Sequence, residues 1–324
     1  MLITFEETSK LITDGKLLHI AGTGELLKKL PKGKWIGGST EYFMAKDGGK
    51  VSGDLLFVDE FPSEKSIENF AIKSYDVQNI KNVTEDAFEN GFSILIVPFD
   101  SALHKEYAQN AAGYNKMFMK IIVGWISGIN LGKAGQTPLA VNGMTLEAFS
   151  DKAVALHLQT PEDKAVSVNI INIFEQDSNS PLIEFTEEGF SIKKCLVDGK
   201  ETAFADYIAK NAIDTKLPLV GSYSGSGINV SFKSIEDGVV NLYAPVFSGI
   251  KYRMAKTITN YVDSFNKRVS EHKETKPLFS CNCILNFLYG ELEHNKIETF
   301  TGPITFGEIA YQLVNQTLVY ISIG

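Results

Sequence analysis

The chain has 324 residues, of which 44% are hydrophobic and 22% are charged, an ordinary globular composition. Its formal net charge is −8, and an acidic chain repels phosphate backbones, so we expect no nucleic-acid partner. The first residues lack the pattern of a secretion signal, and no apolar run approaches the roughly 20 residues of a membrane span. Three cysteines are too few for a disulfide framework, so we expect a cytoplasmic protein without a membrane span.

Strand-like segments rich in Val, Ile, Phe and Tyr dominate the chain and are separated by Gly, Asp and Asn. In chain order they are 17–21, 34–44, 55–61, 93–99, 121–126, 153–158, 166–174, 219–232, 239–247, 279–287 and 318–323. Helical patterns are fewer, and they are a segment from Thr84, then 101–119, 202–212 and 257–271. This order predicts a mixed α/β (α+β) fold with mixed or antiparallel sheets and outer helices.

A faint internal repeat organises these elements. Leu-Pro occurs at 30–31 and 217–218, and Phe-Ser at 92–93 and 279–280, so both pairs are offset by 187 residues. Between them a glycine-bearing strand, a turn, an apolar strand and a helix follow in the same order. The sequence therefore predicts two pseudo-repeated halves, 1–150 and 151–324.

Each half carries a glycine cluster, within 35–44 and 219–232, and we expect these segments to be equivalent. A phosphate-binding loop would have to open onto a helix, whereas a strand follows Gly227. Small residues there permit either close strand packing or the approach of a ligand. If the halves are related by a pseudo-symmetry axis, the clusters should meet in a pocket at the seam between them.

Cys281 and Cys283 lie in a predicted strand, which should point both thiols to one face. A tetrahedral zinc site needs four ligands, and the only other nearby candidate, His294, has no recognised spacing to them. Core packing is the favoured interpretation because cysteine is commonly buried. We therefore expect no metal and no cofactor.

Glu308 is flanked by apolar residues on both sides. A carboxylate held there needs hydrogen-bond partners or a raised pKa. It would either recognise an amine of a ligand or fix the terminal strand through backbone hydrogen bonds.

The segment 279–286, continued by 302–310 and 315–318, resembles the C-terminal part of FIST proteins. That family shows a cysteine-bearing strand, a segment ending in Gly-Glu, and a short Asn-x-Thr stretch near the chain end. Residues 35–44 also resemble a small bacterial family related to FIST. The resemblance implies a sensory input module for a small metabolite, with amino acids as candidates, and it adds Asn282 to the expected site.

We therefore expect a non-catalytic, ligand-binding module of a bacterial signal-transduction system that signals through a separate partner protein. The alternative is a thiol-dependent hydrolase or transferase using Cys281 or Cys283, which requires a base beside a thiol of lowered pKa. A scaffold without a ligand is a third interpretation and requires an exposed apolar patch instead of a pocket. The expected ligand-binding residues are Gly37, Gly38, Thr40, Gly221, Tyr223, Ser224, Asn282 and Glu308.

Overall fold

A computed structural model describes residues 1–61, 67–223, 226–271, 277–297 and 300–324. Strands predominate over helices, and the fold is mixed α+β, as predicted. The helices are α1 (Phe5–Thr13), α2 (Gly24–Lys29), α3 (Ala102–Asn110), α4 (Phe204–Lys210), α5 (Tyr261–Ser270) and α6 (Ile284–Tyr289). None of the helices in these ranges is both long and apolar enough to cross a membrane.

The strands up to residue 159 are β1 (Leu2–Ile3), β2 (Leu17–Gly22), β3 (Trp35–Ser39), β4 (Tyr42–Ala45), β5 (Gly48–Val51), β6 (Leu56–Phe61), β7 (Asn69–Tyr75), β8 (Gly91–Pro98), β9 (Ile122–Ser127), β10 (Ala140–Asn142), β11 (Glu147–Phe149) and β12 (Ala153–Gln159). The later strands are β13 (Val166–Ile171), β14 (Ile183–Glu184), β15 (Gly189–Ile192), β16 (Lys194–Val197), β17 (Lys200–Ala203), β18 (Leu219–Tyr223), β19 (Ser226–Val230), β20 (Phe232–Glu236), β21 (Val239–Val246), β22 (Lys251–Met254), β23 (Phe279–Cys283), β24 (Gly302–Thr305), β25 (Glu308–Ala310), β26 (Gln312–Val314) and β27 (Leu318–Ile323).

Two six-stranded sheets form the centre of the molecule. The first has the order β1-β6-β2-β3-β10-β11 and the second has the order β26-β25-β9-β8-β12-β7. In strand β8, Ile94 and Ile96 pack toward the first sheet, while Leu95 and Val97 pack into the cluster on the opposite face. Side chains alternate along a strand, so both faces of the second sheet are buried in core.

Helices and smaller sheets cover the outer faces of this pair. Ile12 of α1 and Leu27 of α2 pack against the outer face of the first sheet. Helix α1 begins at a capping box in which Thr4 and Glu7 exchange hydrogen bonds with each other's backbone. On the far side of the second sheet, α3 to α6 pack with sheets ordered β17-β16-β14-β22-β18-β19 and β15-β21-β20.

The C-terminal segment, residues 279–324, connects these layers. Strand β24 pairs with β4 in a sheet ordered β13-β27-β23-β24-β4-β5, and β25 pairs with β9 of the second central sheet. Gly307 makes the change between these sheets, with a φ of 146° that side chains rarely adopt. The end of the chain therefore completes sheets that the first 130 residues begin.

Two local predictions of element type are wrong. No helix starts at Thr84: a short 3₁₀ helix, Ile80–Val83, ends just before it and turns follow. The strand predicted over 279–287 ends at Cys283, and helix α6 continues from Ile284. Here an apolar run of strand-like composition forms a helix. The prediction fails because periodicity cannot distinguish a strand from a helix in a short buried segment.

The two glycine-bearing strands occupy different sheet positions. Strand β3 lies between β2, to which it is parallel, and β10, to which it is antiparallel. Strand β18 has antiparallel partners on both sides, β19 and β22. The equivalence expected for 35–44 and 219–232 is therefore wrong, while the division into 1–150 and 151–324 stays a prediction.

Candidate functional site

A cavity of about 620 Å³ lies where the N-terminal part of the chain meets the C-terminal part. Helix α3 and the residues after it form one wall, the β18–β19 hairpin and the loop after β21 form another, and 310–317 complete it. Its lining residues include Gln109, Ala112, Glu188, Tyr223, Phe247 and Thr317. We call this the seam cavity, and its volume is typical of small-molecule sites.

The lining of the seam cavity is largely apolar, with a few polar groups. Glu188 is the only ionisable carboxyl among its described lining residues, and these include no lysine, arginine or histidine. One oxygen of Glu188 accepts a hydrogen bond from the backbone amide of Ser248 at 3.1 Å. This chemistry suits a neutral or amine-bearing molecule with an apolar body better than an anion.

Tyr223 supplies a fixed hydroxyl at the cavity wall. Its oxygen lies 3.1 Å from the hydroxyl of Tyr252, which accepts the backbone N–H of Phe247 at 2.9 Å. Burial raises the pKa of Tyr223 well above its usual value, and the neighbouring Tyr252 adds to the effect. The group is therefore a neutral hydroxyl that can orient a polar atom of a ligand.

Thr317 joins the seam cavity to a buried group of polar side chains, the C-terminal polar network (Asn282, Asn286, Thr305, Glu308 and Thr317). Thr317 donates its hydroxyl to Glu308 Oε2 at 2.8 Å, and its backbone N–H reaches the same oxygen at 3.3 Å. Asn286 donates to Asn282 Oδ1 at 2.8 Å and to the carbonyl of Thr317 at 3.1 Å. These residues come from β23, α6, β24, β25 and the turn before β27, so the segment resembling FIST proteins converges on one place.

The contacts of Thr305 fit a protonated Glu308. Thr305 Oγ1 lies 3.1 Å from the carbonyl oxygen of Asn282 and 2.9 Å from Glu308 Oε1. A hydroxyl carries one proton and can donate to only one of these acceptors. Both contacts are satisfied when Glu308 is protonated, because its own O–H then donates to Thr305, and Thr305 donates to Asn282.

The environment of Glu308 agrees with a protonated carboxyl. Its side chain is completely buried, and burial raises its pKa to about 8, although hydrogen bonds from Thr317 act in the opposite direction. At neutral pH the group is therefore mostly uncharged, and no ion pair is needed to hold it in the core. Of the two roles foreseen for Glu308, the contacts match the one that fixes the terminal strand.

The residues predicted to bind a ligand do not form one site. Gly37 and Gly38 lie inside the first central sheet, where a Cβ on Gly38 would stand 2.6 Å from the indole of Trp125. These two glycines permit close packing and do not reach the seam cavity, which corrects their expected position. Gly221 is likewise buried, beneath the rings of Tyr252 and Tyr223.

The other predicted residues are divided between three places. Tyr223 lines the seam cavity, whereas Thr40 lines a separate cleft and donates its hydroxyl to the carbonyl of Ile304 at 2.8 Å. Asn282 and Glu308 lie in the C-terminal polar network behind Thr317. Ser224 falls outside the described residues.

The cysteines are buried and lie in different parts of the core. Cys281 packs between the two central sheets, and its thiol lies 3.4 Å from the carbonyl of Gly124. Cys283 packs into the cluster on the other side because the strand ends there and α6 begins. The two thiols therefore do not share a face as expected. Burial raises the pKa of both thiols well above the usual value, and the negative charge of nearby Glu308 raises it further.

We expect native Cys281 and Cys283 to resist alkylation. Each is only 1% exposed and protonated at neutral pH, whereas the thiolate is the reactive form. Iodoacetamide at pH 7.5, followed by peptide mass analysis, should modify them at least about a hundredfold more slowly in the native chain than in urea. Rapid native labelling of either residue would instead identify a reactive thiol and favour the enzyme interpretation.

Sequence reasoning missed a Ser–His pair in the second central sheet. Ser93 Oγ lies 2.7 Å from Nδ1 of His157, and Nε2 of that ring lies 2.8 Å from the hydroxyl of Tyr75, which donates to Asp86. Ser93 and His157 are completely buried, and burial lowers the pKa of His157 to about 4. The chain of hydrogen bonds satisfies polar groups inside the core. Ser93 and His157 lie on paired strands and are 64 residues apart in the sequence, so no local motif predicts the pair.

Within the described ranges, no cluster of three or more His, Cys, Asp or Glu residues is arranged to hold a metal ion. The model of a family of unknown function, DUF6976, matches residues 3–324. No curated protein matches the chain.

Proposed function

Because the chain belongs to a family of unknown function, we propose its function from the structure. The seam cavity binds a small, largely apolar molecule, and the protein does not change that molecule chemically. The observation that carries this proposal is the cavity itself, which is of ligand size and is lined from both parts of the chain. A hydroxyl at Tyr223 and a carboxyl at Glu188 provide the few polar contacts that would orient a ligand. The resemblance to FIST proteins stays a prediction and points to the same kind of role.

In this proposal the protein is a cytoplasmic sensory module that passes its ligand-bound state to a separate protein. The cavity contacts α3, the β18–β19 hairpin and the segment 310–317, so a ligand would bind elements of several layers at once. Binding would shift the relative stability of their arrangements by its differential affinity for them. Three free cysteines are consistent with a reducing compartment.

The thiol-enzyme alternative receives less support from these contacts. The buried Cys281 and Cys283 have raised pKa values, and the ionisable neighbour with the largest effect on both is the carboxyl of Glu308 rather than a histidine base. A nucleophilic cysteine needs a lowered pKa and access for a substrate.

Filling the seam cavity should abolish ligand binding without unfolding the chain. Ala112 lines the cavity and is exposed, so Ala112→Trp places an indole in the cavity without entering the core. Native mass spectrometry and a thermal-shift screen of amines, amino acids and aromatic metabolites should give a ligand for the wild type. We expect Ala112→Trp to lose that thermal shift.

The matched control is Ala209→Trp, at an exposed alanine of α4 that does not line the cavity. It should keep the full thermal shift. If Ala112→Trp folds and responds as the wild type does, the seam cavity is not the site. A ligand that is chemically changed after incubation would overturn the non-catalytic part of the proposal.

A further inference from the structure

A second cleft, of about 640 Å³, is polar where the seam cavity is apolar. It lies between the turn after β3, the start of α2 and the loop 128–139. Ser39 fixes both ends of this loop: its hydroxyl donates to the carbonyl of Gly128 at 2.7 Å and accepts the amide of Leu139 at 2.8 Å. The loop therefore has a defined position over the cleft.

Glu41 provides a buried carboxylate in the wall of this cleft. Its side chain is only 4% exposed. Oε2 accepts from Lys133 Nζ at 2.7 Å and from Asn130 at 2.8 Å, and Oε1 accepts from Gln136 at 2.8 Å. Burial acts to raise the pKa of Glu41, but these hydrogen bonds outweigh it and hold the pKa below its usual value, so the group is charged.

The cation that pairs with Glu41 approaches from solvent. The side chain of Lys133 is 54% exposed, whereas that of Glu41 is 4% exposed, so the ammonium reaches a buried carboxylate from a solvent-accessible loop residue. Next to the pair, Gly53 lacks a side chain: a Cβ there would lie 3.6 Å from Glu41 Oε2 and 3.7 Å from Lys133 Nζ. A side chain at this position would contact the ion pair, so Gly53 keeps this side of the pair uncovered within the cleft.

The charges around the cleft favour the same class of ligand. With Lys133 withdrawn, the ionisable lining residues are Glu25, Glu41, Asp54 and Lys28. Glu25 is paired with Lys29 at 2.6 Å, which leaves the carboxylates of Glu41 and Asp54 against one lysine. A buried ion pair is a weak way to stabilise a loop, because desolvation offsets much of the attraction. A function in recognition accounts for a charge kept at this depth.

We propose that this cleft binds a small organic cation, whose primary ammonium or guanidinium group replaces the Lys133 ammonium on Glu41. The position of Lys133 Nζ marks where the ligand's charged group sits, and the remaining volume holds its organic body. Asn130 and Gln136 keep their hydrogen bonds to the carboxylate in the bound state. The site is separate from the seam cavity and does not depend on the function proposed for it.

The test is calorimetric titration with 1,4-diaminobutane and agmatine, with 1,4-butanediol as the uncharged control. The wild type should bind both cations saturably and should not bind the diol. Lys133→Met should bind them about tenfold more tightly, because no tethered ammonium competes. Glu41→Gln should lose the binding, and the affinity of the wild type should fall with added salt.

A second variant covers the case in which Glu41→Gln fails to fold. Gly53→Leu leaves Glu41 and its partners in place but fills the space beside them, and it should also abolish binding. Gly113→Leu, where no atom lies within 4 Å of the added Cβ, is its control and should bind normally. Ala112→Trp should bind the cations unchanged, which separates this cleft from the seam cavity.

Three results would overturn the proposal. Binding to Lys133→Met but not to the wild type would make Lys133 a permanent structural partner of Glu41. Binding that persists in Gly53→Leu would place the cations elsewhere. Failure of the wild type, Lys133→Met and Gly113→Leu, which all keep Glu41 and the open cleft, to bind either cation would exclude a cation site here.

Discussion

Between pH 6.5 and pH 8 the free energy of unfolding of the wild type is expected to fall by about 1.5 kcal/mol because Glu308 ionises. Glu308→Gln should not show this loss. In the folded chain the pKa of Glu308 is raised from 4.5 to about 8, so the folded state keeps a proton that the unfolded state releases. The free energy of unfolding therefore falls as pH rises through this range, and the loss levels off above pH 8. Glutamine keeps a neutral side chain with a donor for Thr305 and should not titrate.

The pH range is chosen to isolate Glu308. Burial lowers the pKa of His104 and His157 to about 4, so their contribution to stability rises with pH between about 4 and 6.5 and is complete above it. Groups common to both chains cancel in the difference between wild type and variant. Urea unfolding at pH 6.5, 7.25 and 8 measures it.

Parallel pH profiles for the two chains would show that Glu308 is ionised throughout, contrary to the geometry at Thr305. If Glu308→Gln does not fold, the infrared carbonyl band of a protonated carboxyl in the wild type gives the answer directly. That band should be present at pH 6.5 and weaken toward pH 9. Its absence at pH 6.5 would also exclude a protonated Glu308.

Gly38→Val should destabilise the chain by about 3 kcal/mol or more. The added Cβ would lie 2.6 Å from Trp125 and 2.7 Å from Ile96, in the packed layer between the two central sheets. Trp125 cannot move freely, because its indole N–H donates to Nε2 of His19 at 2.8 Å. Urea unfolding of the variant measures the loss.

Gly113→Val is the matched control, since a Cβ at Gly113 meets no atom within 4 Å, and it should change stability by less than about 1 kcal/mol. Equal stability of Gly38→Val and wild type would mean that the space beside Gly38 is open, as a ligand pocket requires. The expected result instead assigns Gly38 to packing.

Composition and strand patterns were enough to predict a mixed α+β fold, because alternating apolar segments report burial directly. They were not enough to place the glycine clusters. Gly38 and Gly221 have similar neighbours in sequence, yet one lies against Trp125 and the other beneath Tyr252, and those partners are distant along the chain. Local composition indicates that small residues are needed but does not say what approaches them.

The site could be predicted only in part for the same reason. Tyr223 lines the seam cavity, as predicted for a ligand-binding residue. Glu308 is buried and its pKa is raised, which agrees with the apolar residues on both sides of it in the sequence. Glu41, next to the glycines, has no local sign of a site, because its partners Asn130, Lys133 and Gln136 belong to a loop about 90 positions later. Charges that are paired across such distances leave no local pattern.

The placement of the C-terminal segment has a consequence for how the chain folds during synthesis. Until residues 302–310 leave the ribosome, β4 and β9 each lack the strand that later covers one of their edges. The hydrogen bond from Thr40 to Ile304 spans 264 positions, and pairings this distant form slowly. An incomplete chain therefore exposes apolar strand edges that favour association with other chains. Cells that make this protein should show a strong dependence of its recovery on chaperones and on an intact C-terminus.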